Sequence, residues 1–408
     1  MSYQYDHRIL ADEMEIYFLD EQIGAGLPVW LPNGVAIRDA LEAFVKRLED
    51  EAGFQRVVSP HVAKAELFDR SGHLRAFGGN MFPPMKDGES ELYLKPMNCP
   101  FHHRVFSSSP RSYRQLPLRL AEYGQVYRYE DSGALKGLSR VRALCQNDAH
   151  IYVDPRDAIS EIGKVLEMHE HCYRALGLEG YRYRLSKHDP ARMEDFDGSR
   201  EQWLEAEEIL RRGLEEKGLP YFEADGEAAF YGPKVDVQMR MGAGDEESIA
   251  SVQLDFNSAE KFELSFVDSS GECVRPWIVH RAPLGSHERF VALLLEYFDG
   301  QLPAWLAPVQ VLLVPVGPEQ VNRCRELARE LGSSGVRAKI DVNAGSLSKR
   351  ILFAHKLRPF AKVIVGERES KADVFVVESR GSRNEVRGDA LVGEMKKAVA
   401  PPLVKREL

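Results

Sequence analysis

The chain has 408 residues, of which 44% are hydrophobic and 29% charged, the make-up of a soluble globular protein of two or three domains. Its net charge of −9 is unevenly spread: residues 301–408 carry 19 basic against 12 acidic side chains, leaving 35 against 51 in residues 1–300. No apolar run reaches the length of a membrane span, and the acidic, mixed start MSYQYDHRILADEMEIYF has neither the basic head nor the apolar stretch of a signal peptide, so a cytoplasmic protein with no membrane partner is expected.

Residues 38–52, RDALEAFVKRLEDEA, place apolar side chains at helical spacing, and GFQRVVSP follows as a short strand closed by Pro60. Between 91 and 153 three runs read as strands: ELYLKPM, RLAEYGQVYRY and ALCQNDAHIYV. EDSGALKGLSR is the long hairpin connection between the last two. Residues 156–177 and 199–217 have the pattern of amphipathic helices. AAFYGPKVDVQMRM, SIASVQLDF, KFELSFVD and WIVHRA return to strands, and SHERFVALLLEYF at 286–298 is a strongly apolar helix. Strands in runs with helices in blocks predict an α+β fold on an antiparallel sheet. From APVQVLLVPV onward the pattern changes. Helices at 318–332, 346–357 and 388–398 alternate with strands at 336–341, 361–366 and 373–378, which predicts a small α/β domain. With the boundary in LPAWLAP, the expected domains are 1–303 and 304–408. The basic tail points to a polyanionic partner for the second.

The five cysteines, at 99, 145, 172, 273 and 324, are scattered and odd in number with no C-x-x-C pair, which excludes a disulfide framework. Cys99 lies just after a strand, while His150 and His280 end strands of their own. One cysteine and two histidines suit a zinc ion with an open fourth position, although a lone strand histidine is more often a satisfied core residue. Arg128 and Glu130 sit in YRYED, Arg140 in LSRVR and Arg289 at the first helical turn after Gly285. Guanidinium forks converging from separate elements suit a triphosphate with magnesium; neither G-x-x-x-x-G-K-[ST] nor G-x-G-x-x-G is present.

The ordered set KPMNCP, PLRLAEYGQVYRYEDSG, GLSRVRALCQNDAHIY, FYGPKVDVQ, VQLDF and HRAPLGSHERF closely resembles the class II threonyl-tRNA synthetases, from about Tyr5 to the C-terminus. The resemblance implies a class II catalytic domain followed by an anticodon-binding domain. It implies ATP-dependent activation of L-threonine and transfer to tRNA(Thr), Mg2+ with the ATP, one Zn2+ per chain, and a homodimer whose contact includes the helix and strand ending at Pro60. It places zinc on Cys99, His150 and His280, where the metal holds the amino group and hydroxyl of threonine. A hydroxyl-demanding Lewis acid rejects valine, which an apolar pocket alone separates only by about 10²-fold. Arg128 is placed on the α-phosphate and the reacting carboxylate, Glu130 beside ATP, and Arg140 and Arg289 on the γ-phosphate. Asp148 is placed on the threonine hydroxyl, with Gln146, Tyr231 and Gln253 lining the amino-acid pocket. His73 matches a histidine proposed to assist transfer to tRNA, and Glu369 one that contacts the anticodon.

The chain departs from the family pattern at several points. It begins at the catalytic core, so a short form without an N-terminal editing domain is expected. Phe101 stands where a glycine is usual, Asn147 replaces an acidic residue, the usual Trp-Gln before VQLDF is missing, and Val377 stands where an arginine is expected. Two rivals follow: a paralogue that makes threonyl-adenylate for another acceptor, and a non-catalytic tRNA-binding regulator. The full set of ligands and arginines argues against the second.

Overall fold

The computed structural model describes residues 6–241, 246–342 and 346–402. Contacts divide the chain into two units. One is built chiefly from Val45–Phe290, the other from Val291 onward together with N-terminal stretches up to Leu19 and over Pro28–Phe44.

The first unit is organised by an eight-stranded sheet in the order Tyr221–Asp225, Arg182–Lys187, Lys234–Arg240, Glu246–Asp255, Trp277–Ala282, Ala143–Val153, Leu118–Tyr127 and Gln55–Arg56. The six central strands pair antiparallel, and parallel pairing occurs only at the two edges. The central strands read as alternating or continuously apolar runs, and helices Ala158–Leu176 and Arg200–Glu216 bury one stripe each. Strands Arg182–Lys187 and Tyr221–Asp225 escape a reading by hydrophobic pattern: both lie at one side of the sheet, the first is polar at most positions, and the second has no buried position. KFELSFVD, expected as a strand, instead completes a helical turn at Ser258–Lys261 and contributes only Phe266–Val267 to a small ribbon.

A buried ion pair ties this unit together. Arg281 reaches Glu49 at 2.6 Å with both side chains fully buried, and Asn147 and Tyr123 each donate to Glu49 at 3.2 Å. Asn147 is a donor here; an aspartate would set a second carboxylate against Glu49. Arg281→Ala strands that carboxylate and is expected to cost about 3–5 kcal/mol, read by chemical denaturation.

His169, on helix Ala158–Leu176, is fully buried, and neither ring nitrogen has a hydrogen-bond partner among the described residues. Burial, then the Arg281 charge, pushes it down to about 3. An unfolded histidine titrates near 6.5, so unfolding takes up a proton between these values. The stability this neutral ring permits is complete above about pH 6.5 and lost as pH falls. From pH 7 to 5 the loss is expected to be about 2 kcal/mol greater in the parent than in His169→Leu, by urea titration.

The second unit holds a five-stranded sheet, ordered Ala338–Ile340, Val311–Pro315, Ala361–Val365, Val374–Ser379 and Ser382–Arg387. The first three strands run parallel, as expected for β-α-β crossovers, and the last two antiparallel. Helices Val321–Ser333 and Gly388–Ala398 pack Leu327, Leu331, Leu391 and Met395 against Val311, Val363 and Phe375. Strand Ser382–Arg387 is exposed at five of its six positions, which hid it from hydrophobic patterning. Among the described residues no helix is long and apolar enough to cross a membrane.

Candidate active site

Cys99 opens a short helix, Cys99–Phe106; Asn98 stands at its N-cap and Pro100 in its first turn. His150 and His280 are direct cross-strand partners on Ala143–Val153 and Trp277–Ala282. Helix start and strand pair bring the three side chains together: one ligand atom from each lies within 4.8 Å of the others, and all three residues are buried. Burial pushes His150 well below its ordinary value and raises the Cys99 thiol. The imidazole is therefore in its ligating neutral form, while the thiol needs a cation to ionise.

Each histidine spends its second nitrogen on a buried partner. His280 Nε2 is 3.1 Å from Asp255, whose carboxylate also accepts from the Asn257 and Ser258 amides. His150 Nδ1 is 2.8 Å from His102 Nδ1, and His102 Nε2 is 3.0 Å from Glu122. This is the outer support that metal-binding histidines require, so the residues present fit zinc. Asp255, His102 and Glu122 were missed at the sequence level, although CPFHH and VQLDF contain two of them; only strand register reveals the partnership.

The cluster lines the smaller of two adjoining cavities. The smaller, about 90 Å³, is lined by Cys99, His150, His280, Asp148, Tyr231 and Arg128, with Gln146 and Gln253 on the wall it shares with the larger. The larger, about 250 Å³, adds Glu130, Arg140 and Arg289. Asp148 accepts from Asn98 Nδ2 at 3.0 Å. Tyr231 stacks on His280 with centroids 5.2 Å apart and donates its hydroxyl to Gln253.

The arginines differ in their attachment. Arg289 is anchored to the Ser139 and Ser248 carbonyls at 3.1 and 3.0 Å, and Arg140 pairs with Glu130 at 2.8 Å. Arg128 lies over the Phe77 ring at 5.7 Å, and its buried Nε has no hydrogen-bond partner among the described residues. Burial, then the Arg289 charge, pushes its guanidinium below its ordinary value. Gly285 makes the turn before Arg289 at φ +53°, and a Cβ there would stand 2.4 Å from the Ile249 carbonyl oxygen. Gly285→Ala is expected to lower stability by about 2 kcal/mol or more in thermal melts.

His73 does not line either cavity. It is buried behind Cys99, with Nδ1 2.7 Å from Ser71 Oγ and Nε2 3.9 Å from Cys99 Sγ. Burial, then the Lys261 charge, pushes it down to about 4. Phe101 packs edge-on against Phe68 and covers the buried Lys95 ammonium at 5.4 Å, a use for its ring that glycine lacks. In the second unit, Glu369 caps its own helix by accepting from the Gly366 amide at 3.0 Å. Val377 points into the core, so its position offers no surface for a base contact.

The family model for the class II tRNA synthetase core domain (G, H, P, S and T) matches residues 82–298, and that for an anticodon binding domain matches 310–398. Threonine–tRNA ligase of Chlorobium chlorochromatii is 39% identical over 402 residues, 97% of this chain and 61% of the ligase. That of Streptococcus thermophilus is 40% identical over 93% of this chain and 59% of its own. The chain thus spans about three-fifths of the length of these curated relatives. Among solved structures, the RNA binding domain of threonyl-tRNA synthetase from Cryptosporidium parvum superposes with a TM-score of 0.90 at 33% identity, covering 98% of this chain and 99% of that one. A putative threonyl-tRNA synthetase from Aeropyrum pernix gives 0.83 at 29% identity, covering 98% of each chain.

Proposed function

The chain belongs to the threonyl-tRNA synthetases of class II, and from that premise we propose that it activates L-threonine with ATP and Mg2+ and transfers it to tRNA(Thr). The observation that carries the reading is the meeting of Cys99, His150 and His280 with Arg128 and Arg289 across two adjoining cavities. The smaller is the size of an amino acid's side, and the larger, walled by cations, is suited to a nucleotide.

Zinc held by Cys99, His150 and His280 would supply a Lewis acid able to take the amino group and hydroxyl of threonine. Asp148, fixed by Asn98, accepts a hydrogen bond from the hydroxyl, and Tyr231 with Gln253 closes the far wall. Arg128, lining both cavities, holds the carboxylate against the α-phosphate. A carboxylate oxygen bonds to the α-phosphorus, the α–β phosphoanhydride bond breaks, and pyrophosphate leaves with magnesium. Arg289, held rigid by two carbonyls, and Arg140, positioned by Glu130, bind the outgoing phosphates. The terminal ribose of tRNA then takes the threonyl group, releasing AMP. The catalytic domain is placed at 1–303 and the anticodon-binding domain at 304–408, and the protein acts as a homodimer in the cytoplasm. Glu369 is retained as an anticodon contact, and His73 as an aid to transfer.

Charging of unfractionated tRNA with labelled threonine, run beside ATP–pyrophosphate exchange, tests this. Charging is expected. Exchange without charging points to a paralogue serving another acceptor, and silence in both overturns the enzymatic reading.

A further inference from the structure

Behind His150 lies a row of buried polar groups that the proposed reaction does not use. Lys95 and His102 are fully buried, Glu122 is 4% exposed, and Ser59 closes the row at the sheet edge. His150 Nδ1 faces His102 Nδ1 at 2.8 Å, and His102 Nε2 faces Glu122 Oε2 at 3.0 Å. Glu122 Oε1 accepts from the Ser59 amide at 2.9 Å and the Lys95 ammonium at 3.2 Å.

We propose that Glu122 and His102 are positioning residues that fix the tautomer of His150 and so present its Nε2 lone pair to the metal. The inference rests on the zinc reading above. Its logic is a chain of donors and acceptors. Burial opposes ionisation of Glu122, but His102, Ser59 and Lys95 together outweigh it and hold the carboxyl down at about 2. A carboxylate only accepts, so His102 Nε2 carries the proton. The Lys95 ammonium already pairs with the Glu122 carboxylate, and His102 Nδ1 faces His150 as the acceptor of that contact. His150 Nδ1 must then donate, which leaves His150 Nε2 unprotonated. Asp255 acts in the same way on His280 from the other side, accepting from Nε2 and freeing Nδ1.

The arrangement predicts how a neutral isostere fails. In Glu122→Gln the amide oxygen must stay with Lys95 and the Ser59 amide, because both are donors. The NH₂ group then faces His102, converting its Nε2 to an acceptor and its Nδ1 to a donor. His150 Nδ1 becomes an acceptor, and its proton moves to Nε2, where the metal would bind. Ser59→Ala keeps the carboxylate and the ammonium, so it leaves the tautomers unchanged.

The test is zinc competition against a chromophoric chelator on the full chain, with ¹⁵N spectra of histidine-labelled, metal-free protein in parallel. Glu122→Gln is expected to weaken zinc by about 10–100-fold and to move His150 from the Nδ1–H to the Nε2–H form. Ser59→Ala is expected to lower the melting temperature with zinc affinity within about threefold of the parent. A folded Glu122→Gln protein that binds zinc as the parent does overturns the relay. So does a parent spectrum with His150 protonated on Nε2, which decides the matter even if the variant fails to fold. A parent that takes up no zinc overturns the metal reading instead, and the spectra still decide the relay.

Discussion

Cys99→Ala is expected to remove zinc and threonine activation together. The thiol is one of the three proposed ligands and the one that would bind as an anion, and it occupies the first position of a helix, where alanine is accepted without backbone change. Losing an outer partner of a metal ligand costs about 10–100-fold in metal affinity or activity, so loss of the ligand itself is expected to exceed 10²-fold in ATP–pyrophosphate exchange. Metal analysis should fall from one zinc per chain to none, while circular dichroism stays that of the parent. Discrimination supplies a second reading of the same variant. Whatever exchange survives should separate threonine from valine by no more than about 10²-fold, the limit for an apolar pocket facing near-isosteres. Full exchange in a zinc-free Cys99→Ala protein would remove the metal from the mechanism.

How far the site was legible in the sequence depends on the distance over which each residue acts. Cys99, His150 and His280 carry their meaning in their side-chain chemistry and in the motifs around them, and the structure brings all three together. Arg128, Arg140 and Arg289 were readable for the same reason, and all three line one cavity. The residues that orient them were not. Glu122 and Asp255 look like ordinary carboxylates on strands, and nothing in one strand says that its neighbour offers a histidine. Asn98 is a similar case. It lies 2.3 Å from where a Cβ on Gly124 would be, so Gly124 is what lets Asn98 reach Asp148, but the approach exists only after the strands have paired. The fold was legible where burial is one-sided or complete and illegible at its margins. Strands Tyr221–Asp225 and Ser382–Arg387 lie at sheet edges facing solvent, where the alternation that marks a strand is absent. Glu369 and Val377 mark a different limit. The resemblance puts Glu369 on the anticodon and marks a missing arginine at Val377; the fold adds that Glu369 caps its own helix and that Val377 fills the core.

Arg128→Ala is expected to abolish activation without destabilising the protein, a combination that separates a catalytic cation from a structural one. Arg289 and Arg140 are tied to carbonyls or a carboxylate, and their removal leaves those groups unpaired. Arg128 has a buried Nε without a partner among the described residues, and the Arg289 charge works against its own. A cation held in that way raises the energy of the empty site and is compensated only when an anion arrives, so its cost becomes differential binding of the charge that develops at the α-phosphate. Deleting it should reduce ATP–pyrophosphate exchange by about 10²–10³-fold, the usual loss for one preorganised donor, while the melting temperature stays level or rises. Arg128→Lys restores the charge but not the planar fork that spans carboxylate and phosphate, and is expected to recover little of the exchange. If Arg128→Ala melted well below the parent, the guanidinium would be holding the fold rather than waiting for substrate.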